Sequence, residues 1–161
     1  MKCNTLDKDY IKGVIQSFLL CLVIAGFVFV PYIISGGGLL TMGDDWDAQE
    51  LAFQMFAGRE LKAGNVFFNW SIDIGSELIS SFSFYNLGSP FFWLTLLFPA
   101  EFIPYMLGPI LMLKYAVAGV CAYIWLRSIL TDRRSAVACS LIFVWVLYRV
   151  SRMPATESFG L

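Results

Sequence analysis

The sequence predicts an all-α, polytopic membrane protein, and three observations carry that prediction. Of 161 residues, 58% are hydrophobic and 14% charged, where an ordinary soluble domain is about a quarter charged. Mean hydropathy is +0.71. The charges are also segregated: Lys and Arg collect in some polar segments and acids in another, the local asymmetry that sets membrane topology.

Residues 1–13 are polar and carry Lys2, Lys8 and Lys12, which places a cytoplasmic N-terminus by the positive-inside rule. Residues 14–35 read as the first transmembrane helix. Val14 to Ile34 runs without a charge, and at about 1.5 Å per residue it reaches roughly 31 Å, enough to cross the hydrocarbon core. A signal peptide is the rival reading of a basic start before an apolar run. The length of the run, the absence of an A-x-A site and the later apolar spans favour a retained helix. Pro31 and Gly36-Gly37-Gly38 predict that it loosens or ends on the far side.

Residues 41–89 form a long extracytoplasmic first loop with seven acidic and two basic residues. An interfacial helix is predicted over about 47–61, with Asp47 and Glu50 as an N-cap and capping-box pair and Gly64-Asn65 ending it. Residues 66–89 mix aromatics, serines and glycines, an ordered loop with short helical turns. Pro90 to Pro99 is too short to span alone, so 90–103 is re-entrant, interfacial or the start of the next span. Residues 104–126 form a transmembrane helix. Residues 127–134, with Arg127, Arg133 and Arg134, read as a cytoplasmic loop. Residues 135–148 read as a short outward span. The tail, 149–161, is abruptly polar and atypical, which predicts a truncated or frameshifted copy.

Composition limits the chemistry. With no histidine, the commonest general base and zinc ligand are absent. Cys21, Cys121 and Cys139 lie in apolar runs and read as small hydrophobes. A net charge of -1 offers no basic patch for nucleic acid. The strongest candidates are Asp44, Asp45 and Asp47, just past the first span. Close carboxylates can bind a divalent cation or share a proton as acid and base, whereas Asp47 suits a helix cap. Arg59 and Lys62 either hold a phosphate or neutralise a helix C-terminus. Lys114 lies in mid-span, where an ionisable group marks a functional site or a buried pair. Asn69-Trp70-Ser71 matches a glycosylation sequon, a weak three-residue signal. Trp46, Phe67, Phe68, Trp70, Phe84 and Tyr85 read as an interfacial aromatic belt.

The order Asp45-x-x-x-Gln49, Arg59-x-Leu61-x-x-Gly64, Trp70, Gly75, Tyr85 and Ser89-Pro90-Phe91, followed by Leu113-Lys114, Ala118-Gly119, Tyr123 and Leu126-Arg127, resembles the N-terminal part of the YfhO-like bacterial membrane proteins. The likeness spans roughly 10–145, and the tail after about Leu147 departs from it. It implies a GT-C-like N-terminal part of a multi-pass protein of the bacterial cytoplasmic membrane. Full-length relatives would be glycosyltransferases that take a sugar from a polyprenyl-phosphate carrier and transfer it outside the membrane, onto a cell-wall polymer such as lipoteichoic acid. This chain would be inactive alone. Carried over, Asp45 is the catalytic carboxylate and Asp44 a second one, both also candidate ligands for a divalent cation. Gln49, Arg59 and Lys114 fall at family-like positions as candidate substrate-binding residues. The competing expectations are a transporter or flippase fragment and a catalytically silent membrane protein.

Overall fold

A computed structural model describes residues 8–43, 46–72 and 74–151. The protein is predominantly helical. Helix α1 spans Lys8–Ser35, α2 Ala52–Ala63, α3 Leu78–Phe82, α4 Pro90–Thr95, α5 Ile103–Arg127 and α6 Arg133–Ser151. Two π-helical segments, Trp46–Leu51 and Ser83–Leu87, adjoin α2 and α3, and strands β1 (Phe68–Asn69) and β2 (Ser76–Glu77) pair antiparallel. Among the described residues two segments are long and apolar enough to cross a membrane, Lys8–Ser35 and Ala100–Arg127.

The chain divides into two compact units, residues 1–27 with 112–161, and residues 28–111. In the first unit, α1 presents Gly13, Ser17, Cys21 and Ala25, all buried. Their four-residue spacing aligns small side chains on one helix face, so neighbouring backbones can approach closely. Ser17 Oγ and Ser140 Oγ lie 3.4 Å apart, both fully buried. Cys21 shares an apolar cluster with Ala116 of α5 and Val144 of α6. A Cβ at Gly13 would overlap the Tyr123 ring, and one at Gly119 would overlap Cys21 Sγ. These contacts run in step along α1 and α6 and in reverse along α5. Helices α1 and α6 are therefore parallel, with α5 antiparallel to both.

In the second unit, the end of α1 is made by glycine. Gly38 N–H donates to Ile33 O at 2.8 Å and Gly37 N–H to Ile34 O at 3.2 Å, with Gly37 at φ 64°. This pattern satisfies carbonyls the helix would otherwise leave open. Pro31 lies inside α1 and does not end it. It only withholds one N–H. Helix α2 ends in the same way: Asn65 N–H donates to Glu60 O at 2.9 Å and Gly64 N–H to Leu61 O at 3.2 Å, with Gly64 left-handed at φ 79°. The interior is Ala57, Ile72, Leu78, Phe82 and Phe92, with Phe53 and Phe56 packed on it. Phe53 meets Phe82 edge-on, centroids 5.3 Å apart.

Several features differ from the sequence reading, beginning with α1, which starts at Lys8 rather than at residue 14. Residues 66–89 include the β1–β2 pair, with Phe68 opposite Glu77 and Asn69 opposite Ser76, where only loop and helical turns are predicted. A two-residue ladder is too short for its alternation to show in sequence, and it forms around Gly75, at φ 101°, whose N–H donates to Ile72 O at 2.8 Å. Helix α6, Arg133–Ser151, extends beyond residues 135–148 at both ends. Residues 152–161, most of the atypical tail, lie outside the described residues.

Candidate functional site

The segment after α1 is held by side-chain contacts to its own backbone. Trp46 Nε1 donates to Leu40 O at 2.8 Å. The Asp47 carboxylate accepts from Gly43 N–H at 2.9 Å and Met42 N–H at 3.2 Å. Asp47 is thus no N-cap. It lies inside the π-helical segment, and no side chain caps the start of α2 at Leu51. Glu50 does not close a capping box either, because its Oε1 accepts from Gln54 Nε2 at 2.9 Å. The reason is geometric: the π-helical turn continues directly into α2, so no free helix N-terminus exists at residue 51 to be capped. Asp44 and Asp45, the candidate catalytic and metal-binding carboxylates, lie outside the described residues. Among the described residues, no three of His, Cys, Asp and Glu gather into a cluster that could hold a metal ion.

Gln49 and Arg59 are exposed on the continuous helical stretch from Trp46 to Ala63. Ten residues of helix put them roughly 15 Å apart, so they do not share one contact site. Lys114 is partly buried within α5 and belongs to the first unit, whereas Gln49 and Arg59 belong to the second. Lys62, grouped with Arg59 as a phosphate holder or helix-end cation, donates its Nζ to Phe98 O. It ties the end of α2 to the turn after α4.

The sequon has a structural use. Asn69 Nδ2 donates to Glu60 Oε2 at 2.7 Å while its Oδ1 accepts from Ser71 N–H at 2.8 Å. The same Glu60 oxygen accepts from Asn65 Nδ2 at 2.9 Å, so one carboxylate gathers the end of α2 and the hairpin. Phe67, Phe68, Trp70 and Phe84 all keep more than half their surface exposed.

Two polar side chains that the sequence does not single out stand out by burial. Gln54 is 3% exposed on the α2 face that also buries Ala57 and Gly58, and Asn86 is fully buried in the π-helical segment Ser83–Leu87. Gln54 Oε1 and both polar atoms of Asn86 find no partner among the described residues. An unpaired buried amide costs about 1–3 kcal/mol, and π-helical turns recur at functional positions. Gln54 could have been noticed, since it is the polar member of an i, i+3, i+4 apolar face. Asn86 carries no such signal.

Comparison with known proteins adds the identity. No characterised protein and no solved structure matches the chain. The sequence model of the bacterial membrane protein YfhO matches residues 17–153, a stretch that includes α2, both π-helical segments, α5 and α6 and continues past Leu147. With most of its length matched and two segments able to span a bilayer, the chain belongs to the YfhO family of bacterial membrane proteins.

Proposed function

We propose that this chain is the N-terminal portion of a membrane glycosyltransferase that moves a sugar from a polyprenyl-phosphate carrier to an extracytoplasmic cell-wall polymer. The supporting observation is the division of labour among the acids after α1. Asp47 is committed to the backbone N–H groups of Met42 and Gly43, and Glu50 to Gln54. That leaves Asp44 and Asp45 of the acids just past the first apolar run, and of these Asp45, four residues before Gln49, is the one the family resemblance assigns to chemistry.

In that role Asp45 takes the proton of an acceptor hydroxyl as its oxygen bonds to the anomeric carbon. The bond from that carbon to the phosphate oxygen breaks, and the polyprenyl phosphate leaves with the electron pair. Arg59, exposed on α2, is suited to bind an anionic group of the substrate remote from the reacting carbon, because guanidinium pairs with oxyanions in a bidentate way. The test is Asp45→Asn in the longer family protein that carries this segment, assayed in membranes for sugar incorporated into wall polymer. Transfer should fall by at least about 100-fold, the low end for loss of a general base, with the protein present at normal level. Wall polymer that keeps its sugar would sink the reading.

A further inference from the structure

Five of the first unit's described cations lie at one end. Helix α1 begins there with Lys8 and Lys12, α5 ends there with Arg127, and α6 begins there with Arg133 and Arg134. That these termini share an end follows from three contacts. Arg133 Nη1 meets Asp9 Oδ1 at 3.2 Å, the Tyr10 and Tyr123 rings lie 6.1 Å apart, and Gly13 sits against Tyr123 one helical turn before Arg127.

Two described carboxylates oppose these five cations, and both are engaged. Asp9 pairs with Arg133, and Asp132 accepts from Ser135 N–H and Oγ, each at 2.9 Å. Arg127 Nη1 donates to the carbonyls of Leu130 and Thr131, and its buried Nε has no partner among the described residues. Lys8, Lys12 and Arg134 are exposed. Two of the three helix termini are N-termini, whose dipoles are positive and disfavour the cations placed there. Among the described residues this end carries five cations against two carboxylates. Directly beside it, Ile11, Ile15 and Leu19 of α1 and Trp125 of α5 are exposed, an apolar surface with an aromatic residue at the level expected of a bilayer interface.

We propose that this end binds anionic phospholipid, the phosphodiester lying among Lys8, Lys12 and Arg134 and the acyl chains along the exposed side chains of α1 and α5. Phosphate supplies the missing negative charge, and the adjoining apolar face selects a lipid over a free anion. Basic side chains at a membrane surface each strengthen such binding severalfold.

The full chain, purified in mild detergent and offered equal amounts of phosphatidylglycerol and phosphatidylcholine, should retain the anionic lipid preferentially in native mass spectrometry. Lys8→Gln with Lys12→Gln and Arg134→Gln should lower that preference at least about tenfold. Arg149→Gln, at the opposite end of α6, should leave it unchanged. If the triple substitution reduces helicity by circular dichroism, Lys12→Gln alone decides, with a loss of about threefold or more expected. Equal retention of both lipids, an unaltered preference in the basic-end variants, or an equal loss in Arg149→Gln would overturn the proposal.

Discussion

Gly13 lacks a side chain where α1 passes the fully buried ring of Tyr123. A methyl there would gain up to about 1 kcal/mol of helix propensity, but it would overlap the phenol oxygen and Cζ. Overpacking of this kind costs about 1–3 kcal/mol, and a ring wedged between helices has little room to swing aside, so the clash wins. Gly13→Ala should therefore lower stability in detergent by about 1–2 kcal/mol in a denaturant titration. Tyr123→Phe should be neutral or stabilising, because the Tyr123 hydroxyl has no partner among the described residues. A Gly13→Ala variant as stable as the parent would show that the helices do not pack this closely. The stripe Gly13, Ser17, Cys21, Ala25 is legible in the sequence as a four-residue repeat. Which residues it meets is not, because Tyr123 and Ser140 lie more than a hundred positions away.

At the scale of elements, the start of α6 is set by one carboxylate. Asp132 accepts from Ser135 N–H and its hydroxyl, an N-cap bond to the third helical residue. The backbone N–H of Ser135, then its hydroxyl, hold the Asp132 carboxyl below its ordinary range, with Arg134 assisting. A carboxylate whose folded pKa is depressed contributes stability that is complete above its unfolded pKa of about 3.9 and is lost as pH falls through the folded value. The protection of the Ser135 and Ala136 amides, expressed relative to their intrinsic exchange rates at each pH, should accordingly fall below about pH 4. In Asp132→Asn the same amides should show no such acid step, since the carboxamide caps without titrating. An acid step of equal size in that variant would mean that another group is responsible. Asp47 shows the limit of such reasoning from sequence. Its spacing to Glu50 is that of a capping box, but Asp47 turns back to Met42 and Gly43, because a π-helical turn runs on into α2 and leaves no terminus to cap.

For the whole molecule, the two segments long and apolar enough to cross a membrane, Lys8–Ser35 and Ala100–Arg127, run antiparallel through α1 and α5. We infer a cytoplasmic N-terminus from the cations at the start of α1 and between α5 and α6. Cysteine labelling tests it, in a background with the four native cysteines replaced. Ala63→Cys, exposed at the end of α2, should react with a membrane-impermeant maleimide in intact cells. Ser128→Cys, in the turn after α5, should react only after permeabilisation. The reverse pattern would invert the topology.

The sequence by itself determined the membrane class, the long apolar helices and the glycine-made ends of α1 and α2. Those properties depend on run length and on backbone freedom within a few residues, and both can be read along one dimension. It also carried the family, through spaced residues from Asp45 to Arg127. Only the tertiary structure decided the rest: that Asp47 and Lys62 hold backbone, that Asn69 serves Glu60, that Gln54 and Asn86 are buried amides, and that the basic termini share one end. Each of those depends on which distant segment lies alongside. Pairings of that kind are set by packing and by the need to satisfy polar groups, and local spacing does not encode them.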